Sequence, residues 1–321
     1  MTPEQSSMAT RLHRRRLGRT RLQVSEISLG CVEIGLPYGI SADGVLKRPA
    51  EEETERILHT ALDLGVNHLD TARAYGESEA IIGRVLKARR DEFILTTKIP
   101  VHKQAGLSTA ELRKHCRSSI ETSLAALQTD RIDIVLLHTS GPEMLRRRDV
   151  PKTLGEECGR FVRFFGASVY GMESARIAID SGWCDCVQIA YSMLDRGPEA
   201  DVLEHARKKD VGVVARSVLL KGALTRRCEK LPDELKAVRA AVAEAAQLSP
   251  EGLDGLPVLA YRYVLSDARV HTALVGASSV AEVEQAVRFA STGPLGRHEI
   301  DEIRRIRVKD EKLLNPGNWP S

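Results

Sequence analysis

HLDTARAYGESE, residues 68–79, begins as a short apolar strand, ends it on Asp70, and carries Tyr75 five residues further on in a polar loop. Two downstream stretches repeat the pattern. FILTTKIP (residues 93–100) puts Lys98 late in a strand, and IDIVLLHTS (132–140) puts His138 at the end of one. A carboxylate, a phenol, an ammonium and an imidazole thus recur across successive strand–helix units. Together they can deliver a proton to a carbonyl oxygen while a nearby donor delivers hydride to its carbon.

Outward from this core, short apolar runs alternate with amphipathic helical stretches, the pattern of parallel strands joined by crossover helices. The strand patterns are Ser25–Gly30, Asn67–Asp70, Phe93–Lys98, Asp133–His138, Arg163–Ser168, Cys186–Tyr191, Gly212–Ser217 and His271–Gly276. Between them, Glu52–Gly65 reads as a helix with Ile57, Leu58, Ala61, Leu62 and Leu64 on one face. Similar patterns cover Glu79–Ala88, Ser108–Leu127, Glu173–Asp180, Asp201–Lys208, Leu256–Leu265 and Ala281–Phe289. Gly65, Gly182 and Asp210–Gly212 sit where helices should stop.

Eight strand–helix units predict a closed (β/α)8 TIM barrel, an α/β fold whose chemistry sits at the C-terminal strand ends. Asp70, Lys98 and His138 all fall at such ends. The segment HRRRLGRTRLQVSE (residues 13–26) predicts a hairpin capping the barrel bottom, and Pro232–Gln247 a helical insertion. Residues 1–10 read as a tail, and residues 11–321 as a single barrel domain.

The chain has 321 residues, 42% hydrophobic and 28% charged, with a net charge of +3. That length can bury a large core without disulfides or metals. The near-balanced charge argues against a nucleic-acid partner. The basic run Arg11–Arg21 reads as a solvated tail and edge hairpin, with an anion-binding arm as the alternative. No apolar run approaches the roughly 20 residues of a membrane span. The opening residues lack the apolar core of a signal peptide, so the expected setting is cytoplasmic. Cys31, Cys116, Cys158, Cys184, Cys186 and Cys228 are scattered, without a second ligand pair, and read as buried thiols rather than a metal site.

In combination these stretches resemble the aldo-keto reductase family. LGRTRLQVSEISLG is similar to its opening signature, and HLDTARAYGESEAIIG to the block carrying its aspartate and tyrosine. TTKIP, DIVLLHTS, FFGASVYG, VQIAYSMLDR, VVARSVLLKGALT and ALVGASSVAEVEQAV follow in the family's order, over about Arg16 to Ala290.

Reducing a carbonyl leaves charge on oxygen, so an acid must stand within hydrogen-bond reach. A free tyrosine, with a pKa of about 10, is a slow acid at neutral pH. A nearby ammonium is expected to lower that value, and a carboxylate to keep the ammonium charged. By resemblance, Tyr75 is the general acid, Lys98 and Asp70 its tuning pair, and His138 the group orienting the carbonyl. Bland readings stand beside these: Asp70 as a turn cap, Tyr75 as a rim residue, Lys98 in a structural ion pair, His138 as a structural strand-end histidine.

Hydride has to come from a cofactor. No GxGxxG follows a strand, so a Rossmann site is not indicated. The resemblance instead implies nicotinamide dinucleotide extended across the strand ends. It places Ser168 and Gln188 on the carboxamide, and Arg216, Ser217, Val218 and Leu219 along the ring and pyrophosphate. Gly276, Ala277, Ser278 and Ser279 would hold the adenosine phosphate end at a helix N-terminus, with Gln285 at the adenine.

Three positions depart from the family pattern. Val169 stands where an asparagine is usual. Arg216 replaces a stacking aromatic, with a charge that would act on the ring's electronics. Ser278 stands where NADPH-specific members often place an arginine, with Arg288 and Arg269 as candidate substitutes. NADPH is the family's default cofactor, and NADH the alternative. The short Leu220–Glu234 segment implies easy cofactor exchange. Glu33, Leu36, Tyr38 and Met144 are candidates for the mouth; Arg146, Arg147 and Arg148 read as a solvated helix face, with contact to an anionic substrate as the alternative, and Trp319 reads as part of a loose terminus, with folding over the site as the alternative. The expected partner is a small-molecule carbonyl. Competing readings are a Schiff-base lyase using Lys98 and a cofactor-binding regulatory protein with little turnover.

Overall fold

The computed structural model describes residues 12–40, 46–101 and 104–319. The expected tail at residues 1–10 lies outside the described residues. Ten strands run in chain order as β1 (Arg14–Arg16), β2 (Gln23–Ser25), β3 (Ile27–Gly30), β4 (His68–Asp70), β5 (Ile94–Pro100), β6 (Ile132–His138), β7 (Val162–Ser168), β8 (Cys186–Ala190), β9 (Gly212–Arg216) and β10 (Thr272–Gly276). β1 and β2 form an antiparallel hairpin. β3 to β10 close into a parallel barrel, with β10 pairing both β3 and β9.

The helices are α1 (Val32–Gly35), α2 (Glu51–Asp63), α3 (Ser78–Leu86), α4 (Thr109–Leu127), α5 (Pro142–Leu145), α6 (Val150–Cys158), α7 (Met172–Asp180), α8 (Val202–Lys208), α9 (Lys236–Ala246), α10 (Leu256–Ser266), α11 (Val280–Ser291) and α12 (Arg297–Arg305). Local chemistry sets their ends. Ser108 and Glu111 form a reciprocal capping box at the start of α4, and Gln128 ends it in a left-handed conformation. Three glutamates open α2, where the positive end of the helix dipole favours them.

Strand alternation divides the core in two. Val135 and Leu137 of β6 point outward and join the large cluster beneath the helices. Ile134 and Leu136 point inward and meet Leu17 and Val24 of the hairpin, with Cys186 and Val214. Leu17 and Val24 are wholly buried, so the hairpin plugs the bottom of the barrel as expected. A polar belt crosses the interior: His68 Nδ1 lies 2.7 Å from Ser28 Oγ, and its Nε2 2.8 Å from Thr96 Oγ1. Burial pushes the His68 imidazole down to about 4.

The basic run forms the expected edge hairpin, with Arg14, Arg16 and Arg21 exposed. Arg15 donates to Glu26 and to the carbonyls of Leu265 and Val270, and Arg16 pairs with Asp210. All six cysteines are buried free thiols. Among the described residues no helix is long and apolar enough to cross a membrane.

Four helices escape the sequence pattern: the single-turn α1, α5, α6 and α12. α5 and α6 carry Pro142 and Pro151 in their first turns, where proline fits a helix. α12 is almost wholly charged, and only Ile303 among its residues is buried.

Candidate active site

The barrel brings its C-terminal strand ends to one mouth. Gly30, Asp70, His138, Ser168, Arg216 and Gly276 are the last residues of β3, β4, β6, β7, β9 and β10. Lys98 sits two residues before the end of β5, which runs on to Pro100 beyond the expected limit. A cleft of about 1090 Å³ opens there, lined at one end by Asp70, Tyr75 and His138 and at the other by Ser278, Glu282 and Arg288.

Lys98 is fully buried, and its Nζ donates to Asp70 Oδ1 at 2.5 Å and to the Thr71 carbonyl at 2.9 Å. The ammonium stands 4.7 Å from the centroid of the Tyr75 ring. Tyr75 meets His138 edge to face, with ring centroids 5.6 Å apart at 84°. Gln188 Nε2 donates to Asp70 Oδ2 at 2.8 Å, and Ser168 Oγ donates to Gln188 Oε1 at 2.9 Å. A continuous chain therefore runs Ser168–Gln188–Asp70–Lys98 and ends beneath Tyr75. The bland reading of Asp70 as a turn cap does not describe this geometry. Gln188 is already engaged at both ends of its amide.

Two opposing effects act on Lys98. Burial drives its pKa down, and the charge of Asp70 with its hydrogen bond more than reverses this, so the group is held as ammonium. For Tyr75, burial raises the pKa, and the pull of Lys98 only partly offsets it. The net shift is upward, opposite to the sequence-based expectation, because the phenol is enclosed as well as adjacent to a cation. Tyr75 is consequently a protonated phenol at neutral pH.

Backbone geometry places the phenol. Gly35 packs directly under its loop: a Cβ on Gly35 would fall 1.9 Å from the Tyr75 carbonyl oxygen. Gly76, at φ +56°, turns the chain immediately afterwards, and Glu77 N–H closes onto the Gly35 carbonyl. Thr139 and Ser217, which follow His138 and Arg216, are non-glycine residues at φ +55° and +59°. Such left-handed positions cluster at functional sites.

The remaining sequence candidates divide. Ser168, Gln188, Arg216, Ser217, Val218, Leu219, Gly276, Ser278 and Gln285 line the cleft. Ala277 is buried in the core, and Ser279 caps α11 by accepting from Glu282 N–H. Arg216 stacks 3.9 Å over the Tyr170 ring and donates to the Val169 carbonyl at 3.0 Å. Arg269 lies ahead of β10, at the barrel bottom, paired with Asp267, and so cannot serve a phosphate in the cleft. Met144 and Arg146 line a separate hollow of about 390 Å³, and Arg147 is tied to Asp149 and the Ala105 and Leu107 carbonyls. Trp319 is not among the residues that line the cleft, and its Nε1 donates to the Leu313 carbonyl at 2.7 Å.

Tyr170, Thr139, Arg227 and Glu282 also line the cleft and were not singled out from sequence. Of these, Glu282 had a readable signal, since Ser279 followed three residues later by Glu282 is a helix-capping pattern. Glu33, expected near the mouth, lies against Gly276, and burial pushes its carboxyl up to about 7.

Fold and site thus define a (β/α)8 barrel with a buried cation beneath a phenol at the mouth of a long cleft. The sequence pattern of the Aldo/keto reductase family matches residues 26–308, and the chain belongs to that family. An L-galactose dehydrogenase of Arabidopsis thaliana is 29% identical, the match covering 97% of this chain and 98% of the relative. A D-threo-aldose 1-dehydrogenase of a Pseudomonas species is 28% identical over 80% of this chain and 89% of its own. Among solved structures, the holo form of an aldo-keto reductase from Bacillus halodurans superimposes with a TM-score of 0.73 at 27% identity. That match covers 92% of this chain and 96% of the other.

Proposed function

We propose that the protein is a nicotinamide-dependent oxidoreductase interconverting an aldehyde or ketone with its alcohol, with Tyr75 as the proton donor. The observation that carries this reading is the fully buried Lys98–Asp70 pair beneath the Tyr75 ring, opening onto the cleft. An extended dinucleotide fits the residues present. The cleft is long, Ser168 and Ser217 offer hydroxyls along it, and Gly30 brings no side chain of its own at one strand end.

The bound cofactor supplies the hydride that no side chain can carry. The chain's own groups supply the rest. Asp70 keeps Lys98 charged, and that charge stabilises negative charge developing on the Tyr75 oxygen as its proton leaves. His138, edge-on to Tyr75, is positioned to orient the carbonyl oxygen toward the phenol. Gln188 holds Asp70 in place from the far side.

Tyr75→Phe removes one oxygen and keeps the ring packing. It should abolish carbonyl reduction while leaving cofactor affinity near wild type. General-acid catalysis contributes about 10²–10⁴-fold, so residual reduction at about a tenth of the wild-type rate refutes the assignment. The substrate panel should include aldoses in the oxidative direction, because two relatives bear aldose dehydrogenase names.

A further inference from the structure

The proposed chemistry uses one end of the cleft; the other sets the carboxylates Glu33, Asp254 and Glu282 among the cations Lys221, Arg226, Arg227 and Arg288. Glu282, in the first turn of α11, accepts from the Ser278 N–H at 2.7 Å and from its hydroxyl at 2.9 Å. Glu53, reaching over from α2, accepts from the Val280 N–H at 2.9 Å. The second oxygen of Glu282 lies 3.0 Å from Arg227 Nη2, joining the loop after β9 to the helix. Glu33 approaches from α1, just after β3. A Cβ on Gly276 would fall 2.0 Å from Glu33 Oε1, and Oε2 is buried without a hydrogen-bond partner.

Backbone amides at a helix start are the donors a phosphate ordinarily takes. Here the Ser278 and Val280 amides are held by carboxylates and that of Glu282 by Ser279 Oγ. Two of the nearby arginines are committed as well. Arg227 faces Glu282, and Arg226 makes a two-pronged contact with Asp254. Arg288 alone among the cleft-lining arginines of this end has no ion pair among the described residues. A phosphomonoester bringing about two negative charges would have to displace these carboxylates or lie beside them. A free ribose hydroxyl instead brings a donor, which Glu282 and the unpartnered oxygen of Glu33 can accept.

We propose that Glu282 is a specificity-determining residue that makes this cleft select the dinucleotide without a 2′-phosphate, NADH over NADPH. The selection operates by occupying the phosphate's donors and by like-charge repulsion. It departs from the family default and rests on the cleft being the cofactor site.

The test is titration of the full chain with NADH and, separately, NADPH, following reduced-nicotinamide fluorescence, for wild type and Glu282→Gln. This substitution preserves the side chain's shape, removes its charge and frees Arg227. Like-charge juxtaposition strongly disfavours the wrong partner, so wild type should bind NADH at least about tenfold more tightly. Glu282→Gln should shift that ratio toward NADPH by about tenfold or more, mostly by tightening NADPH. Wild type binding NADPH as tightly as NADH overturns the proposal, as does an unchanged ratio in a folded variant. Should the variant fail to fold, the wild-type ratio decides alone. Binding of neither dinucleotide by folded wild type removes the cofactor reading itself, a failure distinct from a wrong preference.

Discussion

Replacing Asp70 with Asn tests the ion pair on which the proposed site depends. Lys98 is wholly enclosed: its Nζ donates to Asp70 Oδ1 and the Thr71 carbonyl, and Tyr75 is its remaining polar neighbour. Without the carboxylate, burial prevails, and a fully buried lysine loses up to about 3–5 pKa units. The group then falls far below its ordinary value of about 10.4 and gives up its proton in the folded state. The unfolded chain still takes up that proton. At about pH 7.5 the folded state therefore loses about 1.4 kcal/mol for each of roughly three units below 10.4, about 4 kcal/mol in all. The sign follows: a lysine depressed in the folded state makes stability rise with pH, and the penalty shrinks to about 2 kcal/mol near pH 9. Lys98→Met alone strands Asp70 and should cost about 3–5 kcal/mol. The double variant removes both charges and should recover to within about 1 kcal/mol of wild type, because a buried pair replaced as a unit is often neutral. Activity should remain absent in all three. Denaturant unfolding at the two pH values, with reduction rates alongside, measures every term. Additive single-variant losses, or an Asp70→Asn penalty that does not vary with pH, refute the reasoning.

Gly35→Ala should act on catalysis without touching substrate, since its Cβ would overlap the Tyr75 carbonyl and displace the loop. A shift of about 1 Å can cost about 100-fold in rate; wild-type turnover in a folded variant would show that the loop yields freely. Acid should destabilise the protein through the buried His68 and the partly buried His271. His68 and His271 are both driven down to about 4 by burial, so each binds its proton in the unfolded chain first. Stability present above about pH 6.5 is lost as pH falls toward 4, by about 3 kcal/mol per histidine. His68→Asn should flatten this slope in denaturant titrations, and an unchanged slope would place the acid sensitivity elsewhere.

The barrel itself was legible in the sequence. Period-two apolar runs and period-3.6 helical faces are local properties, and all eight barrel strands appear within two residues of their expected limits. Local rules failed where their signals were ambiguous: α5 and α6 carry Pro142 and Pro151 in their first turns, and α12 is almost wholly charged. The four candidate residues Asp70, Tyr75, Lys98 and His138 could also be named, since each sits at a recognisable strand end or in the loop that follows one. Their electrostatics could not. Tyr75 moves upward rather than downward because enclosure by Gly35, His138 and the barrel mouth outweighs one cation, and enclosure is a property of the closed fold. The engagement of Gln188 by Asp70 spans 118 residues of chain, and the link from Arg227 to Glu282 spans 55. Arg269 was excluded from the cleft only by the end of the barrel on which it falls. Sequence periodicity therefore determined which elements form and which side chains reach a common mouth. Burial and long-range pairing decided what charge each group carries there, because both depend on neighbours brought in from distant strands.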